Sequence, residues 1–177
     1  MRYVEIAARL LIGVVFVIAL AGKVNGAAAY REFVLSLRRM DVLPVALASR
    51  AAPGSLVAEG LIILLLAVPL RAAAVAGFAL AAGLLTVFAV AIAVSLRRGN
   101  RAPCRCFGAS SAPLGPGHIA RNAVLVAVAL VGLLAALRPG AASVAGGVVA
   151  AFAGLVAGLV VTMYDDIAAL WSPPRVP

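Results

Sequence analysis

The stretch AAAVAGFALAAGLLTVFAVAIAVSL, residues 72–96, runs for 25 residues without a charge and is closed by Arg97 and Arg98. With a rise of about 1.5 Å per residue, roughly 20 apolar residues cover a hydrocarbon core of about 30 Å, and a helix pairs its own amides there. This stretch therefore predicts a membrane-spanning helix over residues 72–97. The rest of the chain agrees: of 177 residues, 65% are apolar and 12% charged, and the mean hydropathy is +1.15. Soluble domains are roughly half apolar and about a quarter charged, so a soluble fold is excluded, as are disorder and coiled coil. No fixed repeat of about 20 to 50 residues is present, which argues against a solenoid.

Four more spans follow by working outward. Residues 139–164 form an equally long uncharged run, and residues 123–137 reach spanning length when extended back to Ile119 past Arg121 and Asn122. Upstream, residues 51–70 carry only Glu59 and two prolines between Arg50 and Arg71. The first segment, residues 3–22, contains Glu5 and Arg9 four apart, a spacing that pairs them on one helical face. A cleavable leader is the alternative reading of that segment, from Arg2 and the small residues Ala19 and Ala21. A retained helix is preferred, because the charged pair has a use inside a bundle. The expectation is an all-α, polytopic membrane helical bundle with four core transmembrane helices and a fifth C-terminal one, at about 4–22, 52–70, 72–97, 119–137 and 141–163. Residues 1–170 make one integral membrane domain and residues 171–177 a short tail.

Two connections are long. The first contains residues 30–40, where Phe33, Val34, Leu35 and Leu37 mix with Arg31, Arg38 and Arg39, the pattern of an interfacial amphipathic helix. The second, residues 98–118, is broken by Gly99, Pro103, Gly108, Pro113, Gly115, Pro116 and Gly117, which forbid a continuous helix. The formal charge of +9, from 15 Lys+Arg against 6 Asp+Glu, falls mainly at the ends of apolar runs. Those cations read as anchors for lipid headgroups rather than as a nucleic-acid surface, since no basic face with interleaved aromatics appears. Five alternating spans put both long connections on one side, together with eleven of the basic residues; only Arg2, Arg9, Arg71 and Arg138 fall opposite. The positive-inside rule then makes that side cytoplasmic.

Chemistry concentrates in the second connection, at Cys104-Arg105-Cys106-Phe107-Gly108. A thiolate is the nucleophile and the metal ligand, and the cations Arg98, Arg101 and Arg105 favour it. A bridge between cysteines two apart is strained, hence easily reduced and suited to exchange. Cys104 and Cys106 are therefore the candidate catalytic residues, with Arg105 supporting. The alternative is a soft-metal site for Cu(I), using Cys104, Cys106 and His118. A closed zinc site wants four Cys or His ligands, and this chain has three.

Glu59 stands well inside the second span, where an ionisable group is a functional suspect; pairing with Arg9 or Lys23 to fix helix packing is the plainer role. His118, Arg121 and Asn122 open the fourth span, and His118 could shuttle protons to the thiols. Gly154 and Gly158 form a Gly-x-x-x-Gly pair that permits close helix approach. Adjacent Asp165 and Asp166 project about 100 degrees apart on a helix and read, with Tyr164 and Trp171, as an interfacial anchor.

An apolar first helix followed by Lys23, an amphipathic stretch reaching Pro44, Glu59 in the second span, Arg98-Gly99 leading into Cys104-x-Cys106-Phe107-Gly108, and then Arg121-Asn122 resemble the methylamine utilisation protein MauE family over roughly residues 5–137. The resemblance, which extends to DoxX-like membrane proteins, implies a bacterial-type inner-membrane protein that works with a thioredoxin-like partner in making or shuffling disulfides. It implies Cys104 and Cys106 as the redox pair, Glu59, Arg121 and Asn122 as supporting residues, and the cysteine loop on the extracytoplasmic side, opposite to the charge count. Methylamine metabolism is the setting it brings into view; a quinone enters through counting, since a self-sufficient membrane disulfide generator uses one thiol pair for the quinone and another to pass oxidation on. A single thiol pair requires a partner, and membership of a homo-oligomer or larger membrane complex, with the chain as a structural subunit, is the remaining expectation.

Overall fold

Where each helix starts and stops follows local chemistry. The computed structural model describes residues 1–42, 44–100, 115–138 and 140–170. Six helices lie among them: α1 (Arg2–Val24), α2 (Ala27–Arg39), α3 (Val45–Ala67), α4 (Arg71–Arg97), α5 (Pro116–Leu137) and α6 (Val144–Leu170). Helix α3 ends at Ala67, short of the expected residue 70, because Val68 precedes Pro69 and is driven to an extended backbone, ψ 128°. It begins at Val45 rather than near 52. Pro53 sits inside it, a break that membrane helices tolerate because neighbours re-satisfy the freed carbonyl. Pro116 opens α5 in the first turn, where its missing N–H removes no bond. Helix α6 continues past Asp165 and Asp166 to Leu170, since charge ends a membrane span without ending a helix.

Five of the six are long and apolar enough to cross a membrane: α1, α4, α5, the Leu47–Ala67 part of α3 and the Val144–Tyr164 part of α6. Helices α1, α3, α4 and α5 pack as a closed ring in which each touches the next, and α6 lies outside it against α1. Short α2 follows a turn at Gly26, φ +95°, and rests on α1 and α3. The core is built from Ile12, Phe16, Ile62, Phe78, Leu85 and Leu125 with many alanines between them. Small residues suit a membrane, where close backbone approach replaces the hydrophobic drive. Gly132 shows this directly: a Cβ there would stand 2.5 Å from the Phe78 ring and 2.9 Å from Ala8.

Outward, the distribution of polarity is the reverse of a soluble protein. Val57, Leu64, Val87 and Phe152 are exposed, whereas Glu5, Lys23, Glu59 and Arg121 are buried. Such an exterior belongs in lipid, and the chain is a multi-pass helical membrane protein. The Gly-x-x-x-Gly pair of α6 is used within the chain. A Cβ on Gly154 would fall 2.1 Å from the Ala7 carbonyl oxygen, and one on Gly158 2.2 Å from Val14, so both glycines seat α6 on α1. The start of α6 is held there too, by the Ser143 N–H donating to Tyr3 Oη at 3.0 Å.

Candidate functional site

Side chains on a helix lean toward its N-terminus, so residues on antiparallel helices lean toward each other. Lys23, near the end of α1, reaches back into the membrane, and Glu59 of α3 reaches up to meet it. Lys23 Nζ donates to Glu59 Oε1, and the two residues are 1% and 0% exposed. Arg9, the other partner considered for Glu59, instead bonds Glu5 and the carbonyl ends of α3.

Two aromatic faces close over the ammonium. The Phe33 ring centroid, from α2, lies 5.0 Å from Lys23 Nζ, and that of Phe88, from α4, lies 5.7 Å away. Both distances are within cation–π range, which partly replaces the lost hydration. The turn at Gly26 is what brings α2 back over Lys23, so the helix at the bundle's rim supplies a lid of carbon to a charge beneath it.

The carboxylate is only half used. Glu59 Oε2 is buried with no hydrogen-bond partner among the described residues, and the same holds for Ser95 Oγ on α4 and Asn122 Oδ1 on α5. Ser95 stands near the end of α4 and Asn122 in the second turn of α5, while Glu59 lies deeper, past the middle of α3. Buried polar atoms are rarely left this way. Asn122 Nδ2 donates to the His118 carbonyl at 2.8 Å, which fixes the amide along α5. His118 Nδ1 accepts from the Gly115 N–H at 3.4 Å, a bond at the helix start. Arg121 is buried beside Asn122 in sequence.

The same end of the bundle is tied together above this layer. Arg98 Nη1 donates to the Asp41 carbonyl, and Asn100 Nδ2 donates to the Arg39 carbonyl, so the last turn of α4 grips the end of α2. Met40 and Ile92 pack beneath, with Leu37 and Ile119 against them. Helix ends flanking the cysteine segment are thereby fixed next to the Lys23–Glu59 layer. Cys104, Arg105 and Cys106 themselves lie outside the described residues. No group of three or more His, Cys, Asp or Glu able to hold a metal ion occurs among the described residues.

Chemically, the Lys23–Glu59 pair offers a paired ammonium and a buried carboxylate with one oxygen lacking a partner among the described residues. Such a carboxylate can accept or hold a proton, or take a hydrogen bond from a donor that reaches it. Phe88 and Ser95 were not among the residues the sequence singled out, and Phe33 stood out only as part of the amphipathic stretch. Ser95 carried a signal, being one of two hydroxyl residues in α4, with Thr86; Phe88 carried none apart from its neighbours.

No curated protein and no solved structure significantly matches the chain. A family model does, that of methylamine utilisation protein MauE, over residues 1–135. The matched region takes in Lys23, Glu59, both cysteines, Arg121 and Asn122, and stops within α5, short of α6. Matched over most of its length, the chain belongs to the MauE family.

Proposed function

We propose that this chain is a thiol-disulfide exchange protein of the bacterial cell membrane, acting on a thioredoxin-like partner through Cys104 and Cys106. One thiolate attacks a disulfide sulfur of the partner, the partner's other sulfur leaves as a thiolate, and a mixed disulfide forms. The second cysteine then attacks its neighbour's sulfur, closing Cys104–Cys106 and releasing the partner as a dithiol. Two electrons pass to the partner for one bridge gained here, and the reverse sequence passes a bridge outward. Arg105 favours the thiolate through its charge. Glu59, with its open oxygen, and Arg121 carry or orient the protons that thiols shed and regain.

One observation carries this reading. The chain's two cysteines stand in a cationic, Gly- and Pro-rich segment whose flanking helices, α4 and α5, end and begin on the side of the bundle where α1 ends with Lys23, the partner of buried Glu59. Burying two charges costs several kcal/mol per ion before their attraction is counted, and an apolar pair often serves packing as well. A half-engaged carboxylate kept at that position fits a proton-handling role better than a packing one. The test is to trap the intermediate. Cys104→Ser and Cys106→Ser should each be examined in cells for a reductant-sensitive adduct with a thioredoxin-fold protein, and one of them should accumulate it. Absence of an adduct from both, or stoichiometric copper in the purified protein that Cys104→Ser abolishes, would overturn the assignment.

A further inference from the structure

We propose that the end of the bundle opposite the cysteine segment holds one anionic phospholipid, its phosphate in a basic cavity and an acyl chain in the apolar groove beside it. The cavity, open to its surroundings and ≈ 670 Å³ in volume, is lined by Arg2, Arg71 and Arg138, with Ser143 just before α6 and Gly147 in its first turn. The groove, ≈ 590 Å³, is walled by Leu10, Val14 and Val17 of α1, Ile63 of α3 and Leu155 of α6. Arg2 and Ile6 line both spaces, so they meet at the first turns of α1.

The arginines of the cavity have charge to offer. Arg71 Nε donates to the Ala136 carbonyl at 2.7 Å, which leaves both of its Nη groups without a partner among the described residues. The Arg138 side chain likewise has no hydrogen bond or ion pair among the described residues. Arg2 Nη1 bonds Glu5 Oε2 at 3.0 Å, and Glu5, a groove residue, is further engaged by Arg9. No carboxylate is among the described residues that line the basic cavity. Three guanidiniums around a space at headgroup depth complement a phosphate diester, and Arg is the side chain that grips phosphate through two parallel bonds. A free anion would use the cavity alone. The adjoining groove, apolar and open toward lipid, is what commits the site to a phosphate that carries a chain.

Such a lipid also has a structural place to fill. Helix α6 packs mainly on α1, while the groove separates Leu155 of α6 from Ile63 of α3. An acyl chain there bridges the outer helix to the ring.

The experiment uses the full chain purified in mild detergent, with phosphatidylglycerol or phosphatidylcholine added, read by native mass spectrometry and by thermal stability. One phosphatidylglycerol should be retained in preference to phosphatidylcholine and should raise the melting temperature. Arg138→Gln should weaken retention about fivefold, the scale of one basic side chain at an anionic headgroup. Gly13→Leu should also lower it: Gly13 lines the groove and its Cβ position is open, so the leucine fills the chain's path without forcing the helices apart. Arg31→Gln, on exposed α2 at the other end, should change nothing. Equal retention of phosphatidylcholine, indifference to both Arg138→Gln and Gly13→Leu, or full protection by inorganic phosphate alone would overturn the proposal.

Discussion

Glu5 and Glu59 are both buried carboxylates paired with a basic residue, yet one sits in the first turns of α1 and the other deep within α3, and they are completed to different degrees. Both oxygens of Glu5 are engaged: Oε2 takes Arg2 at 3.0 Å and Oε1 takes Arg9 at 3.1 Å. Arg9 continues to the carbonyls of Leu66, Val68 and Leu70, at 3.2, 2.8 and 3.3 Å, so the network closes the C-terminus of α3 and pins it to α1. Glu59 has one oxygen on Lys23 and the other with no partner among the described residues. The first arrangement satisfies a helix end and is a staple. The second leaves one buried oxygen without a partner among the described residues, in a membrane where an unmade bond is expensive, and that difference is what the proposed proton-handling role rests on.

The comparison breaks most visibly at Lys23. Lys23→Met leaves Glu59 buried without its counter-charge and should destabilise the protein by about 3–5 kcal/mol, measured by reversible unfolding in mixed micelles. Replacing both partners, Lys23→Met with Glu59→Leu, should return stability close to the parent value while abolishing the proposed disulfide exchange in cells. Full exchange in the double variant would make the pair a second staple and erase the distinction. At the other end, Glu5→Gln should cost about 1–3 kcal/mol, because Arg9 keeps its three carbonyl acceptors, and should leave exchange unchanged. A loss of exchange there, with the fold retained, would show that both ends serve the chemistry.

How far these regions could be read from the chain depends on whether the deciding interaction is local. Residues 72–96 declare a span because charge-free length is a property of one segment, and Glu5 with Arg9 declares a pair because four residues make one helical turn. Glu59 announces itself as an ionisable group at depth, but its choice of Lys23 over Arg9 is a matter of antiparallel packing: Arg9 is captured first by the carbonyls that Pro69 leaves at the end of α3. The start of α3 was set too late for a related reason, since Arg50 and Pro53 end an apolar run without ending a helix. Gly154 and Gly158 were legible as a close-approach surface, while their partner, the backbone of α1 at Ala7 and Leu11, depends on how the ring closes. Phe33 and Phe88 belong to the site only because Gly26 turns α2 back over Lys23, a relation that no spacing along the chain records.

The aromatic lid gives the finest test of the comparison, because its contribution is small and separable from packing. Phe88→Leu removes one of the two rings facing Lys23 and should cost about 1–2 kcal/mol, part of it the cation–π term and part the smaller side chain. A double-mutant cycle against the Lys23→Met, Glu59→Leu pair divides the two. With the ammonium gone, the packing loss persists and the electrostatic loss does not, so the cycle should return a coupling of about 0.5–2 kcal/mol. Phe78→Leu is the matched control: the same change in the same helix, but against Gly132 and Ala8 in the apolar core, where its coupling to the ion pair should vanish. If Phe88 couples to Lys23 no more strongly than Phe78 does, the rings above the ammonium are ordinary core, and what sets Glu59 apart from Glu5 reduces to one oxygen atom.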